Sequence, residues 1–507
     1  MLENRITNTF IGSSFLQKLS YVHNLEGFSA LFDMKSAITV FGGTKFEVSL
    51  NMELKLYSRF LAILFILGLS LIAQADVSTQ LNVEGLSFIS PDYQNTQDKS
   101  FYFIGASIRN TKKSTNQVSI FNIDLEAQYA IGKPILSYTN AREIYFFQEN
   151  ENINISYGRR LHQWSQLEEA WNLGFFQPQF RWNPIDPSAQ GLVGIFLDNQ
   201  EVNTTLSKSQ NFRWTLFGSP LFVPDQGPGY ELKQGQFEAS NPWFNPPPQN
   251  VEFNGQVLPI DYNVHVPQTN EVIFQSIYGG QLGYQFDSGI YFQASFISKP
   301  SHQIALTYKA VLVADRVRAD IIPKMYREQN LAFDIGYKPN WGSIGLMFLS
   351  NNPEAIVADS NYNFPEIKSS ISWGPQVKLN GDHFKIYSSG LFVSGGEVID
   401  RGPDAGQVTT SLTTKYVFKT AYQIGLTYKT QLTRRMAYDA DVNWTEGFKS
   451  PVKILKIRNQ FKFGRRFGLY LDMLLVETED KADTTTTSNV THLQNLDQIL
   501  VGASYEF

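Results

Sequence analysis

From residue 76 onward the chain alternates between apolar and polar positions. In TKYVFKTAYQIGLTYK (414–429), Tyr416, Phe418, Tyr422, Ile424, Leu426 and Tyr428 share one face, and Lys415, Lys419, Gln423, Thr427 and Lys429 share the other. Strand side chains point to opposite faces in turn, so this period of two predicts a strand with one apolar and one polar surface. The alternation recurs in FNIDLEAQY (121–129), GIYFQASFIS (289–298), HQIALTYKAV (302–311), LAFDIGYK (331–338), MAYDADVNW (436–444) and FGLYLDMLL (467–475). About twenty such segments of roughly 9–13 residues follow one another, a length that crosses a bilayer as a tilted strand. No run of amphipathic helices and no Gly/Ser-rich linker interrupts them, so 76–507 reads as one all-β domain.

A soluble sandwich would also alternate, but two features favour a barrel in lipid. Aromatics such as Tyr416, Tyr428, Trp444 and Trp341 cluster on the apolar face near segment ends, where interfacial girdles belong. The connections also alternate in length. Followed back from the C-terminus, 479–495 is long, GRR (464–466) short, 396–412 long, NGDH (380–383) short, the stretch near 351–366 long and KPNW (338–341) short. The final segment, QILVGASYEF (498–507), puts Ile499, Val501, Ala503, Tyr505 and Phe507 on one face and ends on an aromatic. It closely resembles the terminal strand of bacterial outer-membrane β-barrel proteins, and the whole of 76–507 is similar to that class in architecture. The resemblance implies a transmembrane antiparallel barrel of about 18–20 strands in the bacterial outer membrane, with periplasmic termini and an interior that is polar. It also implies two partners, outer-membrane lipid and the barrel-assembly machinery, which reads the last strand through Phe507.

The most apolar stretch, FLAILFILGLSLIAQADVSTQ, begins at Phe60. Its apolar part, Phe60 to Ile72, is too short for the roughly 20 residues of a spanning helix. Lys55 and Arg59 precede it and Ala73-Gln74-Ala75 closes it, the pattern of a secretory signal cleaved between Ala75 and Asp76. Met52 stands where such a signal starts. Residues 1–51 then read as an over-extended start, 52–75 as the signal and 76–507 as the mature barrel. The alternative is a true N-terminal extension carrying a short anchor helix.

Two insertions break the strand spacing: 165–190, opening with a short helix-like piece, and 219–270, rich in Pro, Gly, Asn and aromatics. In the helical piece Ser165 and Glu168 form a plausible capping box, and Leu167, Trp171 and Leu173 share a face. Loop parity places both insertions outside the cell. Loops this long are uncommon unless functional; each either constricts the barrel or protrudes from it.

Composition narrows the function mainly by exclusion. The chain has 507 residues, no cysteine, a net charge of −5 and 14% aromatics. Nothing concentrates basic charge for nucleic acid, and disulfides and thiolate metal sites are excluded. The six histidines are scattered, and nucleophile-elbow, dinucleotide and phosphate-loop motifs are missing, so neither catalysis nor a cofactor is expected. The polar strand face must line the lumen. It supplies Arg160, Arg213, Lys309, Arg316, Arg318, Lys338, Lys378, Lys415, Lys419, Lys429, Lys456, Arg458 and Lys462. The acidic set on that face is smaller: Asp124, Glu126, Asp320, Asp334, Asp439, Asp441 and Asp472. Any single residue is expected to pair across strands, but the basic excess favours anions. These features predict a porin-like channel for passive diffusion of small hydrophilic, anion-leaning solutes. Two alternatives are a barrel-anchored surface binding or adhesion protein, for which PWFNPPPQ (242–249) is suited, and a specific exporter of an anionic polymer.

Overall fold

Within hydrocarbon every backbone N–H and C=O must find a partner in the protein, which an open sheet with two free edges cannot provide. The chain meets this constraint by closing its sheet. The structure is a computed structural model. It describes residues 77–507 except 91–97, 111–118, 151–152, 200–210, 228, 234–235, 245–246, 248, 266, 358–360, 403–410, 413–414, 449–451 and 479–495. Residues 1–51, the signal expected over 52–75 and its expected cleavage between Ala75 and Asp76 lie outside the described residues.

Eighteen strands form the barrel. They are β1 Val77–Phe88, β2 Ser100–Asn110, β3 Ser119–Ala130, β4 Tyr138–Gln148, β5 Asn154–Arg160 and β6 Leu192–Asp198. The second third comprises β7 Phe212–Ser219, β8 Ile277–Gln285, β9 Ile290–Pro300, β10 Arg327–Tyr337, β11 Gly342–Pro353 and β12 Ser370–Asn380. The last are β13 Phe384–Gly395, β14 Thr420–Thr433, β15 Met436–Gly447, β16 Val452–Phe463, β17 Phe467–Thr478 and β18 Gln498–Glu506. Each is hydrogen-bonded to its sequence neighbours, and β1 closes on β18 antiparallel from Gln80↔Glu506 to Phe88↔Gln498. An even strand number places both ends of the barrel on one rim, here the terminal rim. That rim carries tight turns such as 338–341, 381–383 and 464–466, whereas 161–191, 220–276, 301–326 and 396–419 all leave from the opposite, loop rim.

The number 18 lies within the range expected from sequence. One alternating stretch that reads as wall is not wall. Ala305–Val313, overlapping the 302–311 pattern, pairs with Arg316–Lys324 in a separate four-stranded sheet, together with Asn250–Phe253 and Gln256–Val264. Alternation reports a strand with two unlike faces and does not say which sheet it joins. The 414–429 pattern likewise enters the wall only at Thr420.

The barrel strands keep strict alternation. On β10, Leu331, Phe333, Ile335 and Tyr337 are 54, 39, 42 and 45% exposed on the outside. The intervening Glu328, Asn330, Ala332 and Asp334 are buried inside. On the inner face the character changes with depth. Near the terminal rim the inward positions are polar: Asn82 and Glu84 on β1, Lys385, Tyr387 and Ser389 on β13, Lys456 to Lys462 on β16, Tyr470 and Asp472 on β17. Towards the loop rim the same four strands turn apolar and buried inside: Leu86 and Phe88, Leu391 and Val393, Val452 and Ile454, Leu474 and Val476.

Three inward tyrosines sit opposite inward glycines on the next strand: Tyr291 opposite Gly336, Tyr387 opposite Gly425 and Tyr470 opposite Gly502. In each pair the ring fills the space where a glycine Cβ would stand, so the tyrosine lies flat against the wall. Gly502→Val should therefore displace Tyr470 and cost about 1–3 kcal/mol, as over-packing does. Gly218→Ala, where nothing lies near the added methyl, should be neutral. Heat-modifiable gel mobility of the refolded barrel against temperature measures both; equal stability of the two variants would contradict the packing.

Candidate functional site: an internal hoop and a charged lumen

The connection 161–191 turns into the barrel and runs around its inner wall. Gln281 on β8 donates to the Gln163 carbonyl at 2.7 Å, and Gln293 and Ser295 on β9 donate to the Trp164 carbonyl at 2.9 and 2.5 Å. Asp334 on β10 accepts from Ser165 Oγ at 3.2 Å and from the Gln166 amide at 2.8 Å. Farther along, Gln423 on β14 donates to the Ala170 carbonyl at 2.8 Å, and Trp171 Nε1 donates to Ser389 on β13 at 3.1 Å. Asp186 then meets Lys456 (2.9 Å) and Arg458 on β16, and Ser188 accepts from Asn140 on β4. The segment is a hoop tied to strands on every side of the lumen.

The hoop opens with helix α1, Gln166–Trp171. Ser165 caps it, its Oγ accepting from the Leu167 amide at 3.1 Å. Glu168 does not complete the expected capping box. It accepts instead from the Phe175 and Phe176 amides, both at 3.1 Å, and pins the reversal that follows the helix. Leu167, Leu173, Phe175 and Phe176 are buried against the wall residues Leu192, Phe196, Phe217, Ile297, Met347 and Leu391. A second apolar cluster joins Leu86, Phe88, Phe101 and Val476 to Trp243 of 220–276 and Phe418 of 396–419. The loop half of the interior is thus a packed core built from wall and loops together.

Glu328 on β10 gathers partners from β9, β11 and the 396–419 loop. Lys415 Nζ lies 2.8 and 2.7 Å from its two oxygens, and Lys299 Nζ bonds the same carboxylate. All three side chains are at most 3% exposed. Asn330 and Asn351 donate to it as well. Lys415 also stands 4.7 Å over the Phe175 ring, and its neighbour Tyr416 bonds Ser370 and Ser372 on β12. Nearby, burial and the two ammonium groups hold His302 well below its ordinary pKa, so its ring is neutral.

The residues expected to line the pore separate into groups. Lys309, Arg316, Arg318 and Asp320 belong to the four-stranded sheet and are not in the barrel wall. Lys419 lies on a loop and pairs with Glu397 at 3.3 Å, while Lys415 is part of the buried Glu328 triad. Arg160 faces inward but is sealed against Asp198 at 2.6 Å, over Phe196. Asp334 anchors the hoop. Arg213 faces the lumen near the terminal rim. Lys456, Arg458 and Lys462 also face it, the first two clasped by Asp186 and the third paired with Asp439 at 2.8 Å.

What remains on the polar half of the wall is two sectors and no large excess of either sign. Lys378, Lys385, Lys429, Lys456, Arg458 and Lys462 occupy β12–β16, with Asp439 and Asp441 among them. Glu84, Asp124, Glu126, Glu143 and Asp472 occupy β17 and β1–β4, with Arg109 paired to Asp124 at 3.0 Å. Sequence reasoning missed Glu84, Glu143 and Asp186, and gave Glu168 a capping role in place of the one it has. The first two stand at inward positions of strands that parity alone identifies; Asp186 lies in a loop that no periodicity describes.

No family model and no curated protein matches the chain. Among solved structures it resembles Acinetobacter baumannii OccAB4 (11% identity, TM-score 0.40, covering 86% of this chain and 98% of that one). It also resembles A. baumannii OccAB2 (11%, 0.41, 85% and 98%) and Pseudomonas aeruginosa OccK10 (11%, 0.37, 85% and 99%). At such identity no residue here is matched to a functional position there. The decisive observation is the molecule's own: a closed, even-stranded antiparallel sheet with an apolar exterior and a charged interior. The chain is an outer-membrane-type β-barrel.

Burial raises the Glu168 carboxyl from 4.5 to about 7, against the pull of two amides, Lys415 and Lys299. The folded protein therefore holds this proton more tightly than the unfolded chain. Its contribution is intact below 4.5 and is lost as pH rises through 7, by up to roughly 3 kcal/mol. Urea midpoints should fall between about pH 5 and about pH 8, and Glu168→Gln should flatten that slope. An unchanged slope in the variant would contradict the assignment.

Proposed function

We propose that the protein is a porin-like channel of the bacterial outer membrane, with long loops outside the cell and both termini periplasmic. Residues 52–75 are removed and Asp76 begins the mature chain. Small hydrophilic solutes cross the polar half of the lumen and pass the constriction made by the hoop. The observation that carries this reading is the hoop itself, tied to the wall by Asp334, Gln423 and Asp186. A loop folded inward along a charged wall narrows a lumen that 18 strands would otherwise leave wide. The basic sector supports passage of anionic groups, and the facing acidic sector restrains full anion selectivity. The last strand, ending at Phe507, is the segment read by the assembly machinery. One observation favours the surface-binding alternative: the loop-rim sheet exposes Val257 (71%), Leu312 and Val313 outside the barrel.

Refolded residues 76–507 in planar bilayers should give stable ohmic steps. Exchanging Lys456, Arg458 and Lys462 together for Gln should move the reversal potential towards cations. Silence would favour the surface-binding reading; an unmoved potential would take selectivity away from β16.

A further inference from the structure

Lys456 and Arg458 are wall cations that a solute anion would meet in the lumen, and the chain's own hoop already holds them. Asp186 places one carboxylate oxygen on each: Oδ1 accepts from Lys456 Nζ at 2.9 Å and Oδ2 accepts from Arg458. A lysine and an arginine with one donor per oxygen make a two-point clamp for an oxyanion. The other described ion pairs of inward wall cations, such as Arg160 with Asp198, Lys462 with Asp439 and Arg109 with Asp124, run from strand to strand. Here the acid comes from a loop.

Three features make this contact exchangeable. It is reachable, because the Arg458 side chain is 56% exposed and that of Asp186 31%, whereas Arg160 and Asp198 are sealed. It carries no surplus attraction. Asp472 lies 3.9 Å from Arg458 and Asp441 stands directly opposite it on β15, so with Asp186 three carboxylates serve two cations. Partly exposed ion pairs of this kind are individually weak. Finally, the Asp186 side chain can let go without the hoop moving. Asn183 Oδ1 accepts from the Ile185 and Asp186 amides at 3.1 and 3.3 Å and closes the turn on itself, while Ile185 packs against the apolar cluster of the loop half. The chain that follows has its own anchors, Asn172 on the Pro187 carbonyl and Asn140 on Ser188 Oγ.

We propose that Lys456 and Arg458 form an oxyanion subsite of the lumen, and that Asp186 is its built-in competitor, filling the subsite until an oxyanionic group of a solute takes its place. The proposal rests on the channel reading for its consequence: anions pass β16 by exchange with Asp186, and none is held tightly there. Asp186 then sets how strongly the basic sector retains a solute.

Inorganic phosphate, titrated by calorimetry into the refolded barrel in detergent, reads the subsite whether or not the barrel conducts. Asp186→Asn should bind phosphate at least about tenfold more tightly than the native chain, because it removes the competitor and one negative charge beside the clamp. Heat-modifiable mobility confirms that the variant is folded. Adding Arg458→Gln to it should abolish the gain. Equal affinity in the native chain and the folded Asp186→Asn variant, or no binding by either, would overturn the proposal, as would a gain that survives the loss of Arg458. Silent bilayers beside a tenfold gain would sink the channel reading and leave the subsite standing.

Discussion

Eighteen strands enclose more space than their own inward side chains can fill. Either water occupies the remainder or another part of the chain does, and this chain uses both. At the loop rim its apolar inward side chains are covered by Leu167, Phe175, Phe176, Trp243 and Phe418, and the buried charges among them are paired, Glu328 with Lys299 and Lys415. At the terminal rim they are polar or charged. The boundary between the two regimes is where the hoop runs, and its carbonyls and amides are met there by Gln281, Ser295, Asp334 and Gln423. A loop crossing a lumen must have its backbone groups satisfied, and the wall supplies the partners.

Glu328 holds the arrangement at the rim. A buried carboxylate with two ammonium groups contributes little net stability over an apolar replacement, but losing one partner leaves an uncompensated charge and costs about 3–5 kcal/mol. Lys415 brings 396–419 to the mouth, Lys299 and Glu328 bracket 301–326, and Phe175 under Lys415 fixes the hoop. Below this layer the charges line the lumen, several of them paired, and their separation into sectors gives the lumen a direction across its width.

Much of this was legible in the sequence. Alternation identified the wall, the length parity of the loops identified the rims, and QILVGASYEF identified the closing strand. The basic excess was misleading because Lys309, Arg316 and Arg318 lie on a hairpin whose alternation matches that of the wall. Lys415 and Lys419 were misplaced because the polar-apolar pattern runs on for several residues before β14 begins. The packed interior left a trace that alternation obscures. Where strands approach the loop rim their two faces both become apolar: Met473 to Val476, Val452 with Ile454 and Leu455, Phe101 to Ile104. A strand buried on both faces reads as a continuous apolar run, and these runs mark where loops fold inside. Which loop does so depends on contacts such as Asp186 with Lys456, some 270 residues apart in sequence, and no local pattern encodes them.

The central claim is that 161–191 lies inside the barrel against β16. Because the chain has no cysteine, a pair introduced as Asp186→Cys and Lys456→Cys is the only pair of thiols present. A short bifunctional thiol reagent should link them in the folded barrel, giving a faster-migrating denatured band that reductant reverses. Failure to link in the folded barrel, with both thiols reacting freely after unfolding, would contradict the account.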